Sequence, residues 1–143
     1  MTVLVSHEGA DVDLADLAGV PHAMVLFPGA FTPTCTRELS ALDALWQELG
    51  EQGVAVPVLA VACDPPPVLA AWREAEGVGV PLLSDFWPHG ALSRELDAFD
   101  ESTGRARRTS VVIGADGQVA WRDDAPPGAA RDMARLAAVL RDL

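Results

Sequence analysis

The sequence predicts an α/β fold: a central mixed sheet with flanking helices, closed by a C-terminal antiparallel hairpin and a helix. Three features carry that prediction. Two runs without polar alternation, 23–27 and 54–62, bracket a helical pattern over 33–49, as expected of buried parallel strands joined by a helical crossover. Asp116-Gly117 separates two β-type runs, a strong hairpin signal. A last helical pattern covers 128–142, with Met133, Leu136, Ala137 and Leu140 on one side.

Met1-Thr2-Val3-Leu4-Val5 reads as a first strand, followed by an acidic, glycine-containing stretch. In the helix at 33–49, Cys35, Leu39, Leu42, Trp46 and Leu49 recur at helical spacing until Gly50 and Gly53. Pro57 lacks an N–H donor, so the paired part of the next strand starts after it. Asp64-Pro65 opens a second helix with Leu69, Trp72 and Ala75, stopped by Gly77. Residues 80–83 form a third short strand, and 91–96 a short helix whose Leu92 and Leu96 share a face with Phe99. After a turn at Ser102-Thr103-Gly104, the runs 108–113 and 119–122 form the hairpin. The chain reads as one domain over 1–143, without repeats or low-complexity linkers.

The stretch around which the chain is arranged is Phe27-Pro28-Gly29-Ala30-Phe31-Thr32-Pro33-Thr34-Cys35. Thr32 before Pro33 is a favourable helix start, the threonine as cap and the proline at a position where no N–H is needed. Cys35 then lies in the first turn, where the positive end of the helix dipole and unpaired N–H groups favour its thiolate. The competing reading is a buried cysteine that only fills space.

Half of the 143 residues are hydrophobic, and 21 acidic against 10 basic side chains give a formal net charge of −11. Such a field repels phosphate backbones and anionic lipid, so neither nucleic acid nor membrane is an expected partner. No apolar run approaches the roughly 20 residues of a membrane span, and no signal-peptide pattern opens the chain, so a cytoplasmic protein is expected. Cys35 and Cys63, with only His7, His22 and His89 beside them, suit neither a disulfide framework nor a zinc site.

Pro28-x-x-x-Thr32-x-x-Cys35 resembles the active-site signature of peroxiredoxins, cysteine peroxidases of thioredoxin-like fold. The later stretch Pro81-Leu82-Leu83-Ser84-Asp85-Phe86-Trp87-Pro88-His89-Gly90 is similar to the one-cysteine, alkyl hydroperoxide reductase E type. The resemblance runs from about residue 12 to the end; the usual N-terminal segment of the family is missing, so the first elements are expected to be shortened or rearranged. Thr32 stands where a thioredoxin has its first cysteine, so no local Cys-x-x-Cys disulfide can form.

The resemblance implies that Cys35 attacks a hydroperoxide, with Thr32 as hydrogen-bond donor and Pro28 as a shield from water. It also implies an arginine beside the cleft, Arg108 in preference to its neighbour Arg107, held by Glu38 three residues after the nucleophile. Phe31, Phe86 and Trp87 are expected at the pocket or a homodimer contact, and no metal, haem or flavin is required. Cys35 becomes a sulfenic acid that a second thiol must reduce. Cys63 is the candidate resolving cysteine, but a low-molecular-weight thiol or a thioredoxin- or mycoredoxin-like reductant is preferred. The alternatives are a redox-sensing or interaction protein with little turnover, and an inert scaffold of the same fold.

Overall fold

A computed structural model describes residues 2–143. Its seven-stranded mixed sheet has the order β2-β1-β5-β4-β3-β8-β9. The strands are β1 (Val3–Ser6), β2 (Asp11–Asp13), β3 (His22–Phe27), β4 (Val58–Ala62), β5 (Leu82–Ser84), β8 (Thr109–Ile113) and β9 (Val119–Asp124). Between β5 and β8 a separate two-stranded ribbon joins β6 (Phe99–Asp100) to β7 (Arg105–Ala106). Helices α1 (Pro33–Glu51), α2 (Pro66–Glu76), α3 (Ala91–Glu95) and α4 (Met133–Arg141), with a 3-10 turn at Leu14–Leu17, complete the elements. Among the described residues no helix is long and apolar enough to cross a membrane.

At the centre, β3, β4 and β5 are parallel, with Phe27 opposite Ala62 and Ala62 opposite Ser84. Every residue of β3 is buried, the pattern its unbroken apolar run predicts. Alternate residues separate the two faces of the sheet. Ala23, Val25 and Phe27 pack with Cys35, Leu39, Leu42, Trp72 and Leu136, while Met24 and Leu26 pack with Leu4, Leu14, Cys63, Leu92 and Phe99. The N-terminal hairpin β1–β2 extends the sheet beyond β5, and Leu14, Leu92 and Phe99 cover its second face.

Several elements differ from the sequence reading, for local reasons. The third strand is Leu82–Ser84 rather than 80–83; Pro81 interrupts it, and the N–H groups of Gly79 and Val80 donate to Asp43 at 2.8 and 2.9 Å. The last helix begins at Met133, not 128: Asp132 caps it by accepting the Arg135 N–H at 2.9 Å, and the chain before it turns at 126–129, where the Ala129 N–H donates to the Pro126 carbonyl at 3.1 Å. Asp64 does not cap α2, whose first residues follow Pro65 without a side-chain bond. That helix does stop at Gly77, in the left-handed region at φ 63°.

Candidate active site

The parallel strands deliver three segments to one edge of the sheet: 28–32 after β3, 63–65 after β4 and 85–90 after β5. Antiparallel β8 starts at the same edge, bringing Arg108 with it. Side chains far apart in sequence thereby surround a cleft of about 660 Å³ whose walls include Pro28, Thr32, Cys35, Glu38, Arg108 and Arg131.

Cys35 is the third residue of α1 and 2% exposed. The first helical hydrogen bond runs from Thr36 N–H to the Thr32 carbonyl at 2.9 Å, so the N–H groups of Thr34 and Cys35 have no acceptor within the helix. Thr32 lies at the cap position but its side chain does not cap the helix. Its hydroxyl instead donates to the Gly29 carbonyl at 2.9 Å, folding the turn on itself. Phe31, between them, is held at φ 65°, a left-handed conformation that costs a residue with a Cβ about 1–2 kcal/mol.

Glu38 lies one turn along α1 and is buried. Its two oxygens accept from Arg108, Nε at 3.2 Å and Nη2 at 2.6 Å, a bidentate charge-assisted pair. A second cation joins them. Arg131 Nη2 is 3.4 Å from Glu38 Oε1, and its backbone N–H donates to Oε2 at 3.3 Å. Arg131 also donates to the carbonyls of Leu26 at 2.7 Å and Thr109 at 3.0 Å and to the Ser110 hydroxyl at 3.0 Å, and stacks 4.8 Å from the Phe27 ring centre.

Burial pushes the Glu38 carboxyl up, but the bonds from Arg108 and the charges of Arg131 and Arg108 outweigh it and hold it below the usual carboxylate range. Hydrogen bonding to Glu38 raises Arg108 against the opposing effect of burial, and the charges of Glu38 and Cys35 add to it. Burial lowers Arg131, with Glu38 working against it. One carboxylate thus anchors two guanidinium groups on the wall that carries the thiol. Arg108 is further tied to the loop after β9, donating to the carbonyls of Pro126 at 3.2 Å and Ala129 at 2.7 Å.

Arg107 is exposed while its neighbour Arg108 reaches the cleft. Phe31, Phe86 and Trp87 lie outside the cleft, 53%, 42% and 80% exposed, on loops of the same edge. His89 lies between Phe86 and the β6–β7 ribbon, its Nε2 2.6 Å from the Gly104 carbonyl. Cys63 belongs to the opposite face of the sheet, where its sulfur is 3.8 Å from Ser93 Oγ. Burial and the charge of Asp85 push its thiol up. Both cysteines are free.

Sequence reasoning missed Arg131, which the helix expected over 128–142 places in its first turn. The available signal was Asp132 immediately before the periodic run Met133, Leu136, Ala137 and Leu140, an N-cap residue type at the position that puts Arg131 outside the helix.

The AhpC/TSA family model matches residues 2–122. Alkyl hydroperoxide reductase E of Mycobacterium tuberculosis is 38% identical over 109 residues, 76% of this chain and 70% of the relative. Among solved structures, the crystal structure of peroxidoxin BcpB from M. tuberculosis superposes with a TM-score of 0.84 at 26% identity, over 99% of this chain and 92% of that one. Enterococcus faecalis AhpC has a TM-score of 0.86 at 24% identity, over 99% and 88%.

Proposed function

The chain belongs to the AhpC/TSA family, the thiol-dependent peroxidases called peroxiredoxins, and from that premise we propose that Cys35 is its peroxide-reducing thiolate, acting on hydrogen peroxide or organic hydroperoxides. The observation that carries the assignment is the convergence on one cleft of a first-turn cysteine, free helical N–H groups and the Arg108–Glu38–Arg131 cluster.

The Cys35 sulfur attacks one peroxide oxygen. An S–O bond forms, the O–O bond breaks, and its electron pair leaves on the second oxygen, which takes up a proton as water or an alcohol. Cys35 is oxidised by two electrons to a sulfenic acid. Negative charge grows on the leaving oxygen, and stabilising it requires donors fixed in advance. The N–H groups of Thr34 and Cys35 and the guanidinium of Arg108 are suited to that task. Thr32 differs from the donor that the resemblance implies: its proton is directed at Gly29, which leaves its lone pairs to accept from the peroxide O–H. Pro28 forms the wall that excludes water, and Glu38 keeps both arginines in register. No metal, haem or flavin enters this chemistry.

The sulfenic acid is attacked by an external thiol, expelling water, and a second thiol releases the mixed disulfide. A low-molecular-weight thiol or a thioredoxin- or mycoredoxin-like protein fits this step better than Cys63, which is buried on the other face with a raised thiol. A reducing, cytoplasmic setting suits such a cycle. The exposed Phe31, Phe86 and Trp87 suit a homodimer contact beside the cleft. The test is peroxide consumption with an external thiol: Cys35→Ser abolishes it under this reading, and normal turnover in that variant refutes the assignment.

A further inference from the structure

The turn from Pro28 to Thr32 belongs to no helix or strand, yet it carries the wall and hydroxyl that face Cys35. Its backbone is gripped from outside the cleft by two side chains. Arg105, on β7, donates through Nη1 to the Pro28 carbonyl at 3.0 Å. Asp64, after β4, accepts the Ala30 N–H on Oδ2 at 2.9 Å. The remaining carboxylate oxygen, Oδ1, lies 3.7 Å from the same Arg105 Nη1. One ion pair therefore holds two peptide groups of the turn and braces itself.

Gly29, between the two gripped residues, is the complement to this arrangement. A Cβ there would stand 2.7 Å from Arg105 Nη1, so the guanidinium lies against bare backbone. Asp64 is itself anchored, its carbonyl accepting from the Ser84 hydroxyl at 2.6 Å. Neither Arg105 nor Asp64 lines the cleft.

We propose that Arg105 and Asp64 are positioning residues for peroxide reduction, fixing the Pro28–Thr32 turn relative to Cys35 without touching thiol or peroxide. This rests on Cys35 being the peroxide-reducing thiol. Because the Thr32 hydroxyl is bonded to Gly29, any shift of the gripped residues carries Thr32 with it. A displacement of about 1 Å in a reacting constellation lowers the rate about 100-fold. The side chain of Arg105 is half exposed, so its ion pair contributes little to folding; Asp64, 17% exposed, also holds the Ala30 N–H, so the urea midpoint of each variant is measured beside its rate to separate stability from positioning.

The experiment compares two reactions of Cys35 at one pH: oxidation by hydrogen peroxide, which needs the turn in place, and alkylation by iodoacetamide, which needs only an accessible thiolate. Arg105→Ala and Asp64→Ala are expected to lose about 10- to 100-fold in the peroxide rate without a loss in alkylation, since a loosened wall leaves Cys35 no less accessible. Arg105→Lys keeps a donor for Pro28 and Asp64→Asn keeps an acceptor for Ala30, so each recovers most of the loss. The double alanine variant is expected to fall short of the product of the two single effects, because both act through one turn. An unchanged peroxide rate in both alanine variants, or a fall matched by an equal fall in alkylation, overturns the clamp. Wild-type protein that alkylates but does not react with peroxide overturns the Cys35 assignment instead, before any variant is compared.

Discussion

Replacing Glu38 by glutamine removes the charge shared by two guanidinium groups while keeping an oxygen in place. A hydrogen bond to an ionised group contributes about 1 kcal/mol more than a neutral one, so loss of charge toward Arg108 and Arg131 costs about 2 kcal/mol. Only about a tenth of the Glu38 side chain and a hundredth of Arg131 is exposed, so solvent does little to replace the lost partner. Leaving Arg131 buried without its counter-charge brings the total to about 3 kcal/mol. With a urea slope of about 2 kcal/mol per molar, the unfolding midpoint of Glu38→Gln falls by about 1.5 M at pH 7. Its peroxide rate also falls, because Arg108 loses its anchor.

The same pair fixes the pH dependence. Although burial raises the Glu38 carboxyl, the arginines hold it below its ordinary value in the folded protein. Its contribution is therefore complete above the ordinary glutamate value, about 4.3, and is lost as pH falls through the lower folded value. The gap between wild type and Glu38→Gln should be constant from pH 7 to 5 and close progressively below about pH 4. Urea titrations at these pH values measure it; a gap under about 0.5 kcal/mol at pH 7, or one that persists unchanged into acid, rules out Glu38 as the charged anchor of the two arginines.

Arg108→Ala should slow Cys35 oxidation by about 100-fold, whereas Arg107→Ala, at an exposed position, should leave it within about twofold; stopped-flow kinetics on both variants checks the assignment. Cys63→Ala should retain turnover when an external thiol is supplied, and in a Cys35→Ser background Cys63 should alkylate slowly from pH 6 to 8, because burial keeps its thiol protonated. Loss of turnover in Cys63→Ala would return that residue to the cycle. Trp87→Glu should convert dimer to monomer in sedimentation velocity; a wild-type protein that stays monomeric across a concentration series removes the proposed contact.

The parts of the fold legible in the sequence are those that depend on local pattern. The unbroken apolar run of β3, the proline that delays β4 and the Asp116-Gly117 turn each have a local cause. Thr32-Pro33 located the start of α1, and with it Cys35, correctly, although the Thr32 side chain turned out to bond Gly29 rather than the helix. The β6–β7 ribbon escaped notice because two residues per strand carry no period; only the turn between them left a mark. Asp64 and Arg131 were misread for a shared reason. Each sits beside a helix end, where local rules assign it to a cap or a first turn. Their partners, Ala30 and Glu38, are 34 and 93 residues away, and spacing within a single chain holds no record of such contacts.

The most direct measurement of the central claim is intact-protein mass after reduced protein meets one equivalent of hydrogen peroxide, with and without a sulfenic-acid trap. A single trapped adduct mapping to Cys35, and none to Cys63, is the expected result. A loss of two hydrogens, marking a Cys35–Cys63 disulfide, would contradict the external-thiol cycle, and no mass change would contradict Cys35 as the peroxide-reducing thiol.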